Sequence, residues 1–97
     1  MRRLADEEQI EVLGNLGQVW QLIGELREAE NSYRQALALA EDRRPGERAH
    51  CQLLLGHLMW YREEYAEALA WLEAARAGFE SHGDRSGVGQ AIGRMGL

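Results

Sequence analysis

Lysine is absent from this chain, cysteine and proline occur once each, and no apolar run is long. Each shortage excludes something. A lone Cys51 allows no disulfide within the chain, so nothing points to an oxidising compartment, and a cytoplasmic protein is expected. No stretch approaches the roughly 20 apolar residues needed to span a bilayer. The two arginines near the start are followed by Asp6, Glu7, Glu8 and Glu11 before an apolar segment of signal-peptide length can form. All 11 basic residues are arginine, which reads as coding bias rather than chemistry. Against them stand 16 acidic residues, for a formal charge of −5, and the arginines form no stripe on any expected helix, so nucleic acid is excluded as a partner. With Pro45 alone, proline punctuates the chain at a single point.

What is present is enough for one folded unit. A chain of 97 residues is the size of a single domain, and 45% hydrophobic with 28% charged residues is the balance of a packed protein. The apolar residues recur with helical spacing. Leu13, Leu16, Trp20 and Ile23 fall on one stripe, and Ala29, Tyr33, Ala36, Leu37 and Ala40 on the next. The spacing predicts helices at about 5–23, 26–42, 46–61, 65–81 and 86–96, with Pro45 placed for a first helical turn.

The segment "LGQVWQLIGELREAENSYRQA" at 16–36 is echoed by "LGHLMWYREEYAEALAWLEAA" at 55–75. Gly17 precedes Ala29 by 12 residues and Ala36 by 19, and Gly56 precedes Ala68 and Ala75 by the same intervals. The copies are offset by 39 residues, and Gly96, with Met95 and Ile92 before it, begins a third. A glycine inside a helix costs about 1 kcal/mol against alanine, so each invariant spacing asks for a compensating close approach. The small Ala29 and Ala68 are expected opposite the glycines, with Tyr33 and Leu72 filling the next layer.

These residues resemble the tetratricopeptide repeat, a helix-turn-helix unit with the signature W-x2-L-G-x2-Y, then A-x3-F, then a later alanine. The first copy supplies Leu13, Leu16, Gly17, Trp20, Ala29, Tyr33 and Ala36. The second supplies Leu55, Gly56, Met59, Tyr65, Ala68, Leu72 and Ala75, with Gln52 where the signature has tryptophan. A period near 39 or 40 exceeds the standard of about 34, the surplus falling in the connector, and is similar to the extended class found in kinesin light chains, G-protein-signalling scaffolds and large bacterial regulators. The connector's Gly83-Asp84 fits that class. The resemblance implies an all-α solenoid of about two and a third repeats within one domain over 1–97: repeat 1 at about 10–43, repeat 2 at about 49–82, and a partial repeat 3 at about 86–97.

It also implies a protein or peptide interaction scaffold, with the first helix of each copy lining a concave face. By motif position those residues are Glu11, Gly14, Gln18 and Gln21 in the first copy and His50, Leu53, His57 and Trp60 in the second. Trp60 has two readings: an anchor for a partner, or packing against the third copy's first helix. The family's carboxylate clamp is not expected, because Gly14, Gln18, Leu53 and Leu54 stand where its basic and amide side chains would be, with only Asn15 and Arg94 suggestive. About three repeats are normally needed for stability, so the chain is expected to be a piece of a longer array or to associate with itself, through the open third-repeat edge or by exchanging the last helix. A spacer or oligomerisation element of a multidomain bacterial regulator, or a signal-peptide sensor, is the alternative role.

No enzyme, cofactor or metal is expected. His50 and His57 are seven residues apart, about 10 Å of helical rise, too far to share a zinc at about 2.0–2.3 Å each, and Cys51 points away from His50. Glu63 and Glu64 fall at a turn. Ser32, Ser81 and Ser86 lack a glycine-flanked elbow, Ser86 being read as a helix-start residue, and "GDRSGVGQAIG" follows a helix rather than a strand.

Overall fold

The computed structural model describes residues 5–41 and 44–94. It contains five helices and, among the described residues, no strand: α1 (Asp6–Leu22), α2 (Leu26–Ala40), α3 (Pro45–Tyr61), α4 (Tyr65–Ser81) and α5 (Arg85–Arg94). The helices stand where the periodicity puts them. Position 42 and the third-copy residues Met95 and Gly96 lie outside the described residues.

Local chemistry sets the helix ends. At α1 the Ala5 N–H donates to Glu8 Oε1 at 3.3 Å, and Asp6, Glu7 and Glu8 place negative charge at the positive end of the helix dipole. Pro45 opens α3, where its missing N–H costs nothing. The three hairpin turns are alike. Glu25, Glu64 and Asp84 donate their N–H groups to Trp20, Met59 and Phe79 carbonyls at 2.9, 2.8 and 2.8 Å, while Gly24, Glu63 and Gly83 close the shorter bond. This turn requires a left-handed residue, and Gly24 and Gly83 supply it with φ of 85° and 76°. Glu63, the counterpart of Gly24, adopts φ of 63° with a side chain attached, so this turn carries local strain. At α5 the capping acceptor is Asp84, whose Oδ1 takes the Gly87 N–H at 2.9 Å; this corrects the assignment of Ser86, which lies inside the helix.

α1 pairs with α2 and α3 with α4 as antiparallel hairpins; α3 lies on α2, and α5 lies on α4. The intrahairpin contact differs from the expected glycine–alanine crossing. A Cβ at Gly17 would lie 2.6 Å from Tyr33 Cδ1, within the ring's own volume, and one at Gly56 would lie 2.7 Å from Leu72 Cγ and Cδ2. Each glycine therefore makes the hole that seats a large side chain 16 residues downstream. Ala29 and Ala68 are fully buried beside it. A third instance joins the last two helices, where Phe79 fills the space over Gly87. A direct approach of small residues occurs elsewhere, between Ala49 and Gly78, whose Cβ would lie 3.0 Å away.

These contacts gather into a core of Tyr33, Leu54, Leu55, Leu58 and Met59 around α2 and α3, and another of Leu53, Leu72, Phe79 and Ala91 between α3, α4 and α5. Tyr33 is buried yet satisfied, its hydroxyl donating to Gln21 Oε1 at 3.0 Å, and desolvation pushes its pKa up to about 12. Two side-chain links tie α2 to the second hairpin: Arg62 to Glu30 at 2.6 Å, and the Arg34 guanidinium 5.6 Å from the Trp71 ring centroid. The hydrogen bond from Arg34, with help from Arg62, holds the Glu30 carboxyl below its ordinary pKa.

One expectation for α1 needs correction. Leu16 and Ile23 do not share an inward stripe with Leu13 and Trp20: both are exposed, and the inward positions are Ile10, Gly14 and Gly17, with Leu13 and Trp20 half-buried.

Candidate partner-binding groove

A groove of about 540 Å³ opens between α1 and α3. Its floor includes Gly14 and Leu54; a Cβ at Gly14 would meet Leu54 Cδ1 at 3.6 Å, an ordinary contact, so the glycine keeps the groove deep without being forced by packing. One wall is Glu7, Glu8, Glu11 and Gln18 of α1, and the other is Glu47, His50 and Cys51 of α3. Among the described residues, four carboxylates and no arginine line it.

Arg44 stands at one end. Its Nη1 lies 3.2 Å from Glu7 Oε2 and 3.6 Å from Glu47 Oε1, so the acidic walls hold a guanidinium between two helices. The second oxygen of Glu47, Oε2, is buried and has no hydrogen-bond partner among the described residues. Burial, with the Glu47 carboxylate adding to it, pushes the Cys51 thiol up to about 11, which leaves it protonated and unreactive at neutral pH. Desolvation lowers the pKa of His50, so the groove's imidazole is neutral at physiological pH.

The eight residues named from the motif positions do not act as one surface. Glu11, Gly14, Gln18 and His50 line this groove together. Gln21 turns toward α2 and accepts the Tyr33 hydroxyl, a structural contact. Leu53 is buried among Leu72, Ala75 and Phe79 and is closed to a partner, because the helix that packs on α4 also covers this side of α3. His57 is half-buried on the side toward α5, its pKa lowered by desolvation and then by the nearby Arg94 charge. Trp60 is exposed, edge-on to Tyr65 with ring centroids 4.9 Å apart, so neither the first groove nor α5 covers it. A second depression of about 500 Å³, between α3, the end of α4 and α5, contains His50, His82 and Asp84. Among the described residues no three His, Cys, Asp or Glu side chains approach closely enough to hold a metal ion.

Motif reasoning missed Glu7, Glu8, Glu47 and Arg44, which build the walls and one end of the groove. They precede the motif positions, in the first turns of α1 and α3 and just before α3; the only signal for them in the sequence is the acidic start of those helices.

Stacked helical hairpins with a groove between their leading helices define a helical-repeat protein. Residues 10–42, which cover most of the α1–α2 hairpin, match the family model described as the tetratricopeptide repeat, and this match supports that repeat family. Searches of curated proteins and of solved structures each returned no match. No described helix is long and apolar enough to cross a membrane.

Proposed function

We propose that the protein is a protein-interaction module whose α1–α3 groove takes an extended basic segment of a partner. Tetratricopeptide repeats generally mediate protein–protein contacts and are not catalytic, which supports the class. The observation that carries the finer reading is the seat of Arg44: a guanidinium lodged between Glu7 and Glu47 at one end of a groove walled by carboxylates. A partner's arginine or lysine entering the groove would meet the exposed carboxylates of Glu7 and Glu11, while Gly14 and Leu54 leave room for an apolar side chain. We divide the chain as the repeat spacing does, at about 10–43, 49–82 and 86 onward.

Fluorescence anisotropy tests this with labelled peptides of alternating arginine and apolar residues against acidic controls of equal length. Binding is expected for the basic series only, weakening as salt rises. Glu11→Arg, and Gly14→Leu, which fills the groove, are each expected to weaken it by about tenfold or more. Equal binding of basic and acidic peptides, or no effect of either substitution, would leave the groove without this role and favour the spacer reading.

A further inference from the structure

Arg44 stands between two depressions. The α1–α3 groove and the depression beside α5 share Gly46, Glu47 and His50, so together they make one trough across the first turns of α3. The Arg44 side chain borders the second depression, while its guanidinium reaches back to Glu7 and Glu47 of the first. An internal cation therefore sits on two of the four carboxylates that the groove offers a basic ligand.

This seat is easily given up. The side chains of Arg44, Glu7 and Glu47 are 31%, 64% and 40% exposed, and ion pairs so open to solvent contribute little, because water screens them and ordering long side chains opposes them. The Arg44 backbone, by contrast, is fixed: its N–H donates to the Ala40 carbonyl at 3.0 Å, and its carbonyl accepts the Arg48 N–H at 2.8 Å. Only the side chain needs to turn. Released from Glu7, it has beside it the second depression, which it already borders. There, apart from Glu47 on the shared ridge, the carboxylate among the described residues is that of Asp84, whose Oδ1 is taken by the Gly87 N–H. The His50 and His82 imidazoles and the Gln90 amide are groups that can donate to an anion.

Resting on the groove reading above, we propose that the partner segment carries both charges: its basic residue displaces Arg44 from Glu7, and an acidic residue nearby receives the released guanidinium in the depression beside α5. A basic residue alone would leave Arg44 without its carboxylates, whereas a mixed-charge segment exchanges one ion pair for two. In an extended segment, residues two apart lie on the same side about 7 Å from each other, which sets the spacing of the two charges. Arg44 is thus the residue that selects the partner's charge pattern.

Fluorescence anisotropy on the full chain tests it with labelled peptides of equal length, one carrying arginine alone and two carrying arginine and glutamate two residues apart, in either order. Circular dichroism confirms that each variant keeps its helix content. The parent should bind the better mixed peptide about fivefold more tightly than the basic one. The formal charge of −5 by itself favours the basic peptide, so a preference for the mixed one cannot come from the overall field. Arg44→Gln should erase that preference and tighten the basic peptide by about fivefold, a gain that a merely structural arginine would not give. Glu7→Gln, which keeps Arg44, should weaken both kinds of peptide and preserve the preference. Equal affinities in the parent, a preference that survives Arg44→Gln, or a basic peptide not tightened by it overturns the inference and leaves the groove reading standing. Binding of none of the peptides overturns both.

Discussion

Gly17→Ala adds one methyl group to the middle of α1, and two opposed effects decide the outcome. Helix propensity favours alanine by about 1 kcal/mol. Against this, the new Cβ would stand 2.6 Å from Tyr33 Cδ1 and 3.0 Å from Cζ, far inside van der Waals contact. The ring cannot step aside cheaply: Tyr33 is buried and its hydroxyl is tied to Gln21. Overpacking a closed site costs about 1–3 kcal/mol, and the absence of slack around Tyr33 puts this case at the upper end, for a net loss of about 1–2 kcal/mol. For a domain of this size that lowers Tm by roughly 4–16 °C, measured by circular dichroism. Gly89→Ala is the control, because its Cβ meets nothing within 4 Å and only the propensity gain remains. The two substitutions should move Tm in opposite directions. A double-mutant cycle with Tyr33→Leu should then show positive rescue, as the smaller side chain vacates the space. Gly17→Ala melting at or above the parent, or a cycle with no coupling, would refute the knob-in-hole account of the hairpin.

Three further outcomes follow from other sites. Glu63→Gly should stabilise the fold by about 0.5–1 kcal/mol, since it relieves a left-handed backbone at the one hairpin turn without glycine; urea midpoints at constant m would measure it. His50 and His57 are desolvated and hold pKa values below the ordinary 6.5, so the unfolded chain takes up protons first: their contribution to stability is intact above 6.5 and is lost as the pH falls through their folded values. Melts from about pH 7.5 to about pH 5 should show this decline, and the His50→Gln/His57→Gln variant should flatten it, leaving only the separate loss below 4.5 as Glu30 protonates. Cys51, with its thiol raised to about 11 and its side chain buried, should react with a disulfide reagent only on unfolding, at a rate that tracks denaturant; fast labelling of the native protein would contradict the burial.

The sequence by itself determined the five helices and their pairing. Periodicity, Pro45 and the 39-residue echo are local or repeated signals, and a helix depends mainly on local hydrogen bonds and a patterned face. It also marked Gly17 and Gly56 as close approaches, because an unpropitious residue at a fixed spacing must be compensated. What lies opposite them was decided in three dimensions: Tyr33 and Leu72, not Ala29 and Ala68, enter the holes, and helix rotation is invisible to spacing alone. The same rotation turned Leu16 and Ile23 outward, buried Leu53 and tied Gln21 to Tyr33, so that Glu11, Gly14, Gln18 and His50 alone of the motif positions share a groove. Its acidic walls join the first turns of α1 and α3, about 40 residues apart in the chain, and only tertiary packing could bring Glu7 and Glu47 to the same arginine.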